Sequence, residues 1–413
     1  MLAVRNSATI GVGRIATARL TPSCLIISER HSSNGSKSAN DVEIQPLKAT
    51  SLANLRRGTG GRSSFNGLVV TVLGATGFVG RYVCNRLGKI GSQLILPYRG
   101  DNYDPLRLRL VGDLGQVLFT PYQAVDLDSL RKSMRYSNVV VNLIGRDYET
   151  RNFNFHRVHV EVARNVAKIA KEMGVERLIH FSALNASENP PSTVIKGGSK
   201  FLKTKWLGEQ AVREEYPEAI IFRPADVWGQ EDRFMRYHAM WWRRQSSFYP
   251  LWKKGDHVIK QPVYVGDVAG GVVNAIFERN AEGKTYEIVG PQRFVLGELI
   301  DYFHRVMRKM DTEWGYKRYD MRFDPTYFLK IIFNEKINPA SPINTMTWEK
   351  LERENVTDTL SGLPRLEDLG VSPLTTIHER ASWELMPYNA YNYYDAELDE
   401  FARPDPPPTV VES

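Results

Sequence analysis

Residues 69–80 decide the fold, and they read Val-Val-Thr-Val-Leu-Gly-Ala-Thr-Gly-Phe-Val-Gly. Five β-branched or apolar residues end in Gly74, and Gly77 and Gly80 follow at three-residue spacing before a helix-compatible segment. A strand, a glycine turn and a helix in this order can hold a dinucleotide. Gly74 permits the tight turn, Gly77 admits the pyrophosphate, and Gly80 lets the helix pack closely on the strand. The helix N-terminus adds unpaired N–H groups. We therefore predict a dinucleotide site over 74–80, with contacts from Gly74, Ala75, Thr76, Gly77, Phe78, Val79 and Gly80.

Strand and helix signals alternate outward from this stretch. The pattern predicts further strands at 93–98, 117–122, 139–144, 177–181 and 219–223. It predicts two long helices at 155–173 and 205–215. Such alternation predicts an α/β fold, a Rossmann-like doubly wound parallel sheet over 68–230. We expect a smaller C-terminal α/β lobe at 231–373 and an extended aromatic and Pro-rich tail at 374–413, with little structure of its own.

The N-terminal region has the most biased composition. No Asp or Glu occurs in residues 1–28, where Arg5, Arg14 and Arg19 stand among Ser, Thr, Ala and Leu. Basic, hydroxyl-rich and acid-poor segments are typical of mitochondrial presequences, so we expect a presequence and disordered leader over 1–50; the alternative is a merely disordered tail. Residues 1–67 carry nine Lys and Arg against three acids, which accounts for six of the seven net positive charges. The rest is nearly neutral, which argues against nucleic acid as a partner.

Cysteine and histidine usage gives little sign of a metal site. Only Cys24 and Cys84 are present, so no disulfide within the chain can survive removal of the leader. His156, His159 and His180 are close in sequence, but satisfied surface or core histidines are the favoured interpretation over metal ligands. No apolar run reaches the roughly 18 residues of a membrane span.

Several motifs resemble, in order and spacing, those of the extended short-chain dehydrogenases/reductases. They are Gly74-x-x-Gly77-x-x-Gly80, Asp126-Leu127, Asn142-Leu143-Ile144-Gly145, the run 159–182, the run 223–229 and the run 262–268. The resemblance covers about 68–280. It implies that Asp126 and Leu127 contact the adenine, that Leu143, Ile144 and Gly145 follow the fourth strand, and that Pro224 borders the nicotinamide. It also implies that Ser182 and Lys205 persist as cofactor contacts.

A closer resemblance is to one branch of that superfamily, the nucleotide-binding accessory subunits of mitochondrial respiratory complex I. It rests on the segments 62–66, 83–93, 96–100 and 229–234, and it extends to about residue 385. It implies a non-catalytic subunit in the matrix-facing arm, near the membrane, with tightly bound NADPH. Other subunits of complex I are then the expected partners, and stabilisation or assembly of that enzyme is the expected function.

The end of the second strand favours NADP over NAD. NAD-binding sites usually place an acid there to hold the ribose hydroxyls, but Arg99 occupies the position, and an arginine can meet a 2′-phosphate bidentately. Asp101 is the nearest acid and could still reach the ribose. Alternatively, Arg99 is only a solvated charge at a strand end.

The catalytic position of the superfamily lacks its proton donor. Active members use a Tyr, with a Lys four residues later on the same helix face. Lys205 fits the Lys position, but Phe201 stands four residues before it, and no tyrosine occurs from Thr150 to Glu215. Ser182 alone is a poor acid, and Tyr148 lies on the wrong loop. Two rival functions stay open, an active mitochondrial NADP-dependent reductase or epimerase and an RNA-binding or assembly protein on the same fold.

Two aromatic segments are candidate contact surfaces. Residues 234–254 contain seven aromatic and five basic side chains, which suits an anionic membrane surface, a protein partner or the core of the smaller lobe. Residues 381–394 suggest a strap that lies on another subunit or back across its own domain.

Overall fold

A seven-stranded parallel sheet is the centre of the computed structural model, which describes residues 56–101, 103–240, 243, 247–310, 315–337, 346–390 and 402–411. The seven strands are β1 (Val69–Leu73), β2 (Gln93–Tyr98), β3 (Val117–Pro121), β4 (Val139–Asn142), β5 (Arg177–Phe181), β6 (Ile220–Pro224) and β11 (Thr285–Ile288). Their order in the sheet is β11-β6-β5-β4-β1-β2-β3, and every neighbouring pair is parallel.

The remaining strands form three two-stranded pairs: β7 (Val227–Trp228) with β10 (Val263–Tyr264), β8 (Phe248–Leu251) with β13 (Lys317–Asp320), and β9 (Ile259–Lys260) with β12 (Phe294–Val295). The α-helices are α1 (Phe78–Lys89), α2 (Leu127–Met134), α3 (Val162–Glu172), α4 (Lys200–Glu215), α5 (Met235–Ala239), α6 (Val265–Phe277), α7 (Leu296–Val306), α8 (Pro325–Ile337), α9 (Trp348–Glu354) and α10 (Ile377–Leu385). Short 3₁₀ helices occupy Asp104–Leu108, Trp252–Gly255, Arg279–Ala281, Met321–Phe323, Glu367–Leu369 and Met386–Tyr388.

Helices cover both faces of the sheet, as the sequence pattern predicts. In β1, Val70 and Val72 pack in one core cluster with residues of α1 and α6, whereas Leu73 packs in a second cluster with residues of α2, α3 and α4. Because both faces are covered, every residue of β1 is buried, which explains its continuous apolar run. The predicted doubly wound Rossmann-like fold is confirmed.

Two helix limits differ from the sequence prediction. Helix α4 begins at Lys200, five residues before the predicted start, because the Ser199 hydroxyl accepts a hydrogen bond from the Leu202 amide at 3.2 Å and caps the helix. The helix predicted over 155–173 is divided into a π-helical turn, Arg157–Glu161, followed by α3. The turn contains His159, a residue of the site described below.

The chain returns to the central sheet after leaving it. Helix α6 packs against α1, and β11 then pairs with β6 at the sheet edge, in a register that aligns Tyr286 with Phe222. An isolated parallel bridge joins Glu287 to Arg365 beyond that edge. The described residues belong to one compact unit. The limits predicted for the smaller lobe and the tail stay predictions.

Most described rings of the aromatic and basic stretch 234–254 lie in the interior. Phe234, Tyr237 and Tyr249 are buried, and Arg243 is 1% exposed and forms an ion pair of 2.6 Å with Glu354. This arrangement agrees with the core alternative for these residues. The stretch also keeps exposed side chains, Phe248, Lys253 and Lys254, for which contact with lipid or a partner stays a prediction. Trp241 and Trp242 lie outside the described residues.

The segment after Leu374 contains more structure than the sequence pattern indicates. Helix α10 begins with a capping box, in which the Thr376 hydroxyl and the Glu379 carboxylate each bond the other's backbone amide. Its buried residues include Ile377, Ala381 and Leu385, which pack in a core cluster with residues of α5 and α7. Residues 402–411 have no helix or strand, and the Val410 amide bonds the Arg293 carbonyl at 2.8 Å. The described tail therefore lies back across its own domain.

Two findings concern the ends of the chain and the membrane. The predicted leader, with Cys24, lies outside the described residues, whereas Cys84 is a buried free thiol. Within the described parts of the chain, none of the helices has both the length and the apolar character that crossing a bilayer requires.

Candidate functional site

The glycine turn between β1 and α1 has the geometry that its spacing predicts. Gly74 has a φ of +83°, in the left-handed region, and its carbonyl accepts the Gly77 amide at 3.0 Å. A Cβ at Gly80 would lie 2.5 Å from the Gly74 oxygen and 2.8 Å from the Ala75 Cα. No side chain therefore fits at Gly80 without moving backbone, which keeps the start of α1 against the turn.

A cleft of about 320 Å³ opens at the carboxyl ends of the strands, beside the glycine turn. Here β1 and β4 are neighbours in the sheet while the chain continues from them in opposite directions, which is the place where ligands bind in open parallel sheets. The predicted site residues that line the cleft are Gly74, Thr76, Gly77, Arg99, Leu143, Ile144 and Gly145. A nucleotide fits this cleft because its walls are backbone, apolar side chains and a few polar groups.

Other predicted contacts lie behind the cleft wall. Ala75 is buried, and Val79 packs on the core. The Asp126 carboxylate caps α2 by accepting the Asp128 amide at 3.2 Å, and Leu127 packs on the second core cluster. From this connection, Tyr122 and Ala124 line the cleft instead. Pro224 accepts the Leu184 amide through its carbonyl at 2.8 Å, and Ala225 lines the neighbouring pocket.

Arg99 forms the cleft wall at the end of β2. Its guanidinium carbon lies 5.2 Å from the centre of the Phe153 ring, a cation–π arrangement that leaves the edge N–H groups available. Among the described residues, no carboxylate forms an ion pair with Arg99. The acid that lines the cleft is Asp104, at the start of a 3₁₀ helix, and not Asp101.

The catalytic position of the superfamily lies next to this cleft, on α4. The Lys205 ammonium donates to the Phe181 carbonyl at 2.9 Å, and a Cβ on Gly145 would be 3.2 Å from the Lys205 nitrogen. Burial lowers the pKa of Lys205 to about 8, against the opposing effect of Glu209. One turn earlier, the Phe201 ring has no proton to give. The Ser182 hydroxyl is buried and has no hydrogen-bond partner in the described part of the chain.

An arginine of the C-terminal lobe covers the Phe201 ring. The guanidinium carbon of Arg353 lies 4.1 Å from the ring centre, and its Nη2 donates to the Asp147 carbonyl at 3.2 Å. Helix α9 brings Arg353 to this place because the Glu349 carboxylate accepts the Phe201 amide at 2.9 Å. The surface where a phenol would meet substrate is therefore occupied by a cation.

The histidines near the site are structural. His159 Nδ1 lies 3.0 Å from the Thr204 hydroxyl and His159 Nε2 lies 3.1 Å from the Arg146 carbonyl, so the ring joins α4 to the loop after β4. Burial and the Lys205 charge lower the pKa of His159, and they lower that of His180 to about 3. His180 Nδ1 contacts the Asn142 amide nitrogen at 3.2 Å. Within the described residues, no group of three or more His, Cys, Asp and Glu side chains is placed to hold a metal ion.

Sequence reasoning missed three cations at the far end of the site. Arg233, Lys350 and Arg353 line a second pocket together with Phe78, Ser182, Phe201 and Lys205. Arg233 belongs to the segment 229–234, whose closer resemblance could have identified it as a site residue. The short helix α9 carries no motif, and its proximity to α4 follows only from tertiary packing. Tyr148 lines the first cleft, and its hydroxyl accepts Arg146 Nη1 at 3.3 Å.

Comparison with known proteins agrees with this geometry. Residues 70–289 match the model of the NAD dependent epimerase/dehydratase family. The mouse protein "NADH dehydrogenase [ubiquinone] 1 alpha subcomplex subunit 9, mitochondrial" is 44% identical to the chain over 349 residues, which are 84% of this chain and 88% of the mouse protein. The chain belongs to the subunit 9 family. The Neurospora crassa "NADH-ubiquinone oxidoreductase 40 kDa subunit, mitochondrial" is 34% identical, over 82% of this chain and 84% of the fungal protein.

A solved structure of low sequence identity has the same fold as this chain. The Citrobacter triphenylmethane reductase, solved as a complex with NADP(H), has a TM-score of 0.54 at 17% sequence identity. The match covers 76% of this chain and 99% of the reductase. The family model and the curated relatives confirm the predicted relation to short-chain dehydrogenases and to this branch of them.

Proposed function

We propose that this chain is a non-catalytic accessory subunit of mitochondrial complex I that holds NADPH as a structural element. Membership of the subunit 9 family supports the complex I assignment, since the mouse and fungal relatives are named as subunits of that enzyme. The single observation that supports the lack of catalysis is Phe201, which stands one turn before a retained Lys205 and is covered by Arg353. Bound NADPH supplies a hydride, but the reduction of a carbonyl also needs a proton donor at this point.

The first cleft would hold the nucleotide through groups that the chain keeps in place. The turn at Gly74 and Gly77 would receive the pyrophosphate at the N-terminus of α1, and Leu143 to Gly145 would form the opposite wall. The unpartnered Ser182 hydroxyl and Lys205 stand at the far end. Asp126, Leu127 and Pro224 would act through the backbone they fix, since their side chains do not line the described cavities.

NADP is the proposed form because of the charge at the end of β2. Arg99 has no carboxylate partner among the described residues and faces the cleft, so a 2′-phosphate would find an unpaired cation there. Asp104 lines the same wall and could instead hold the ribose hydroxyls of NAD. The affinities of the protein for NADPH and for NADH distinguish these alternatives, because only NADPH carries the 2′-phosphate.

The proposed location is the matrix side of the inner membrane, as a peripheral subunit. The named relatives are mitochondrial proteins, and the acid-free segment 1–28 is typical of a presequence. Contacts with other complex I subunits would use the exposed surface. The described tail is folded against its own domain and is not expected to act as a free strap.

Native mass spectrometry of the endogenous protein, released gently from mitochondria, tests this proposal. The expected result is co-migration with a very large respiratory assembly and one NADPH per chain, detected by fluorescence, that added carbonyl compounds do not oxidise. A free monomer or dimer that consumes NADPH with such compounds would make the protein an enzyme instead.

A further inference from the structure

The pocket beyond Phe201 carries more positive charge than a nicotinamide requires. It has a volume of about 260 Å³ and is lined by five cationic side chains, Arg146, Lys205, Arg233, Lys350 and Arg353, and by two carboxylates, Asp147 and Asp226. The nicotinamide ring is neutral when reduced and positively charged when oxidised. Neither form of the ring compensates a cluster of cations, and of the five only Arg146 and Arg233 also line the first cleft, where the nucleotide's phosphates would bind.

The two carboxylates already have cationic partners. Asp147 forms an ion pair of 2.6 Å with Arg233, and Asp226 lies 3.4 Å from the Lys260 ammonium. Within the described residues, no carboxylate comes within ion-pair distance of Lys205, Lys350 or Arg353. Lys205, Lys350 and Arg353 thus form no ion pair with the acids of the pocket, although the charges of Lys350 and Arg353 help to lower the pKa of Asp226.

Burial makes these unpaired cations costly. Lys205 is 6% exposed and Lys350 is 8% exposed, and burial is the main cause that lowers the pKa of each ammonium. The Lys350 ammonium lies 5.2 Å from the centre of the Tyr237 ring. A bound anion would compensate both groups, because opposite charge stabilises a buried ammonium.

The Ser182 hydroxyl, which the proposed function places at the far end of the nucleotide site, also faces this pocket. Ser182 is 5% exposed and lines the pocket, and its hydroxyl has neither donor nor acceptor among the residues that the structure describes. The Arg353 Nε is likewise buried and unpaired. Buried polar groups are normally hydrogen-bonded, so unpaired ones at a cavity are available to bond a ligand that enters it.

We propose that this pocket binds a small organic anion of the carboxylate or phosphate class, held by Lys350, Arg353 and Ser182. The volume lies below the roughly 300–1,000 Å³ of pockets for drug-sized ligands, so the ligand is a small molecule and not a second nucleotide. Of the three proposed binding groups, Lys350 and Arg353 lie beyond the matched family region 70–289, whereas Ser182 lies within it. The anion site goes beyond the proposed structural use of NADPH and does not depend on complex I membership.

Titration calorimetry with malonate and with inorganic phosphate tests the proposal on the full chain saturated with NADPH. Chloride at matched ionic strength is the reference. The wild-type protein is expected to bind at least one probe, and Lys350→Gln to weaken that binding by at least tenfold, whereas Lys350→Arg retains it. Lys330→Gln is the matched control, because Lys330 is an exposed lysine on α8 outside the pocket, and its binding should equal that of the wild type.

Ser182→Ala provides a second variant should Lys350→Gln fail to fold. The Ser182 hydroxyl has no protein partner, so its removal is expected to leave the fold intact and to weaken the anion severalfold. Equal binding in wild type, Lys350→Gln and Ser182→Ala would overturn the proposal, as would the absence of binding of both probes. Displacement of NADPH by the anion, one for one, would also overturn it by assigning the cations to the nucleotide. None of these results changes the expected co-migration with a respiratory assembly.

Discussion

At the scale of single residues, Gly80 matters most directly to the fold and to the proposed nucleotide site, because no side chain larger than hydrogen fits there. Gly80→Ala would place a Cβ against the backbone of Gly74 and Ala75, which cannot move as a flexible side chain can. We expect the free energy of unfolding to fall by about 1–3 kcal/mol, as for overpacked sites. Urea denaturation measures it. Gly270→Ala in α6 is the matched control, because its nearest neighbour is a Val371 methyl at 3.8 Å and no loss is expected.

Arg99 gives the test of the nucleotide form. Arg99→Ala is expected to weaken NADPH by roughly 10- to 100-fold, in line with about 1.5–3 kcal/mol for a hydrogen bond to a charged group, and to leave NADH unchanged. Fluorescence titration of nucleotide-free protein measures both affinities. Arg109→Ala, an exposed arginine outside the cleft, should alter neither. An equal loss for NADPH and NADH would contradict a 2′-phosphate contact.

Lys205 predicts a pH dependence of stability. Its folded pKa of about 8 lies below the ordinary value of 10.5, so the unfolded chain binds more protons between these values and stability rises with pH across that window. Below pH 8 the full cost of the buried charge is present, up to about 3 kcal/mol. Lys205→Met removes this dependence. The free energy of unfolding is measured for nucleotide-free wild type and variant at pH 7 and pH 10. From pH 7 to pH 10 the wild type is expected to gain stability relative to Lys205→Met. An equal change in both proteins would refute the lowered pKa.

Site residues could be predicted from the sequence where the interacting residues are close together along the chain. The absence of tyrosine from 150 to 215 identified Phe201 without any structure, because it needed only a count. The glycine turn was predictable because its three positions act on each other within one βα unit. Lys350 and Arg353 were not, since helix α9 is held against α4 by contacts between segments about 150 residues apart, such as that of Glu349 with Phe201.

At the scale of elements, strands were predicted more closely than helix limits. Predicted strands 93–98 and 177–181 coincide with β2 and β5, because buried parallel strands are apolar on both faces and stand out as short runs. The sequence pattern did not predict helix α10, because only Ile377, Ala381 and Leu385, spaced four residues apart, face the core cluster. The aromatic residues that follow obscured this helical spacing. Its Thr376 and Glu379 capping box was the available signal.

The two sides of α10 should respond differently to truncation. Leu385→Ala removes a fully buried side chain and is expected to lower the free energy of unfolding by about 2–5 kcal/mol through the cavity it leaves. Trp383→Ala, on the same helix at 61% exposure, should change it by less than about 0.5 kcal/mol in the isolated protein. Thermal denaturation of both variants measures the contrast. Equal effects would mean that α10 does not pack as described.

At the scale of the whole molecule, the nucleotide should act as part of the folded structure. A ligand that binds only the folded chain at 100 times its dissociation constant adds about 2.7 kcal/mol to stability. Removing NADPH is therefore expected to lower the melting temperature of the purified protein, and adding it back to restore the value without any turnover. Calorimetry of the loaded, stripped and reloaded protein tests this. An unchanged melting temperature would show that the cleft contributes nothing to stability.

The position of β11 determines which pieces of this protein can exist alone. A chain that stops near residue 230 would contain every strand of the sheet except the one at its edge, so β6 would present a row of open backbone donors and acceptors. Such an edge is a template for pairing with a second copy. Synthesis must therefore proceed past Ile288 before β6 is covered by β11, and a nonsense mutation between residues 230 and 288 should yield aggregates rather than a working half.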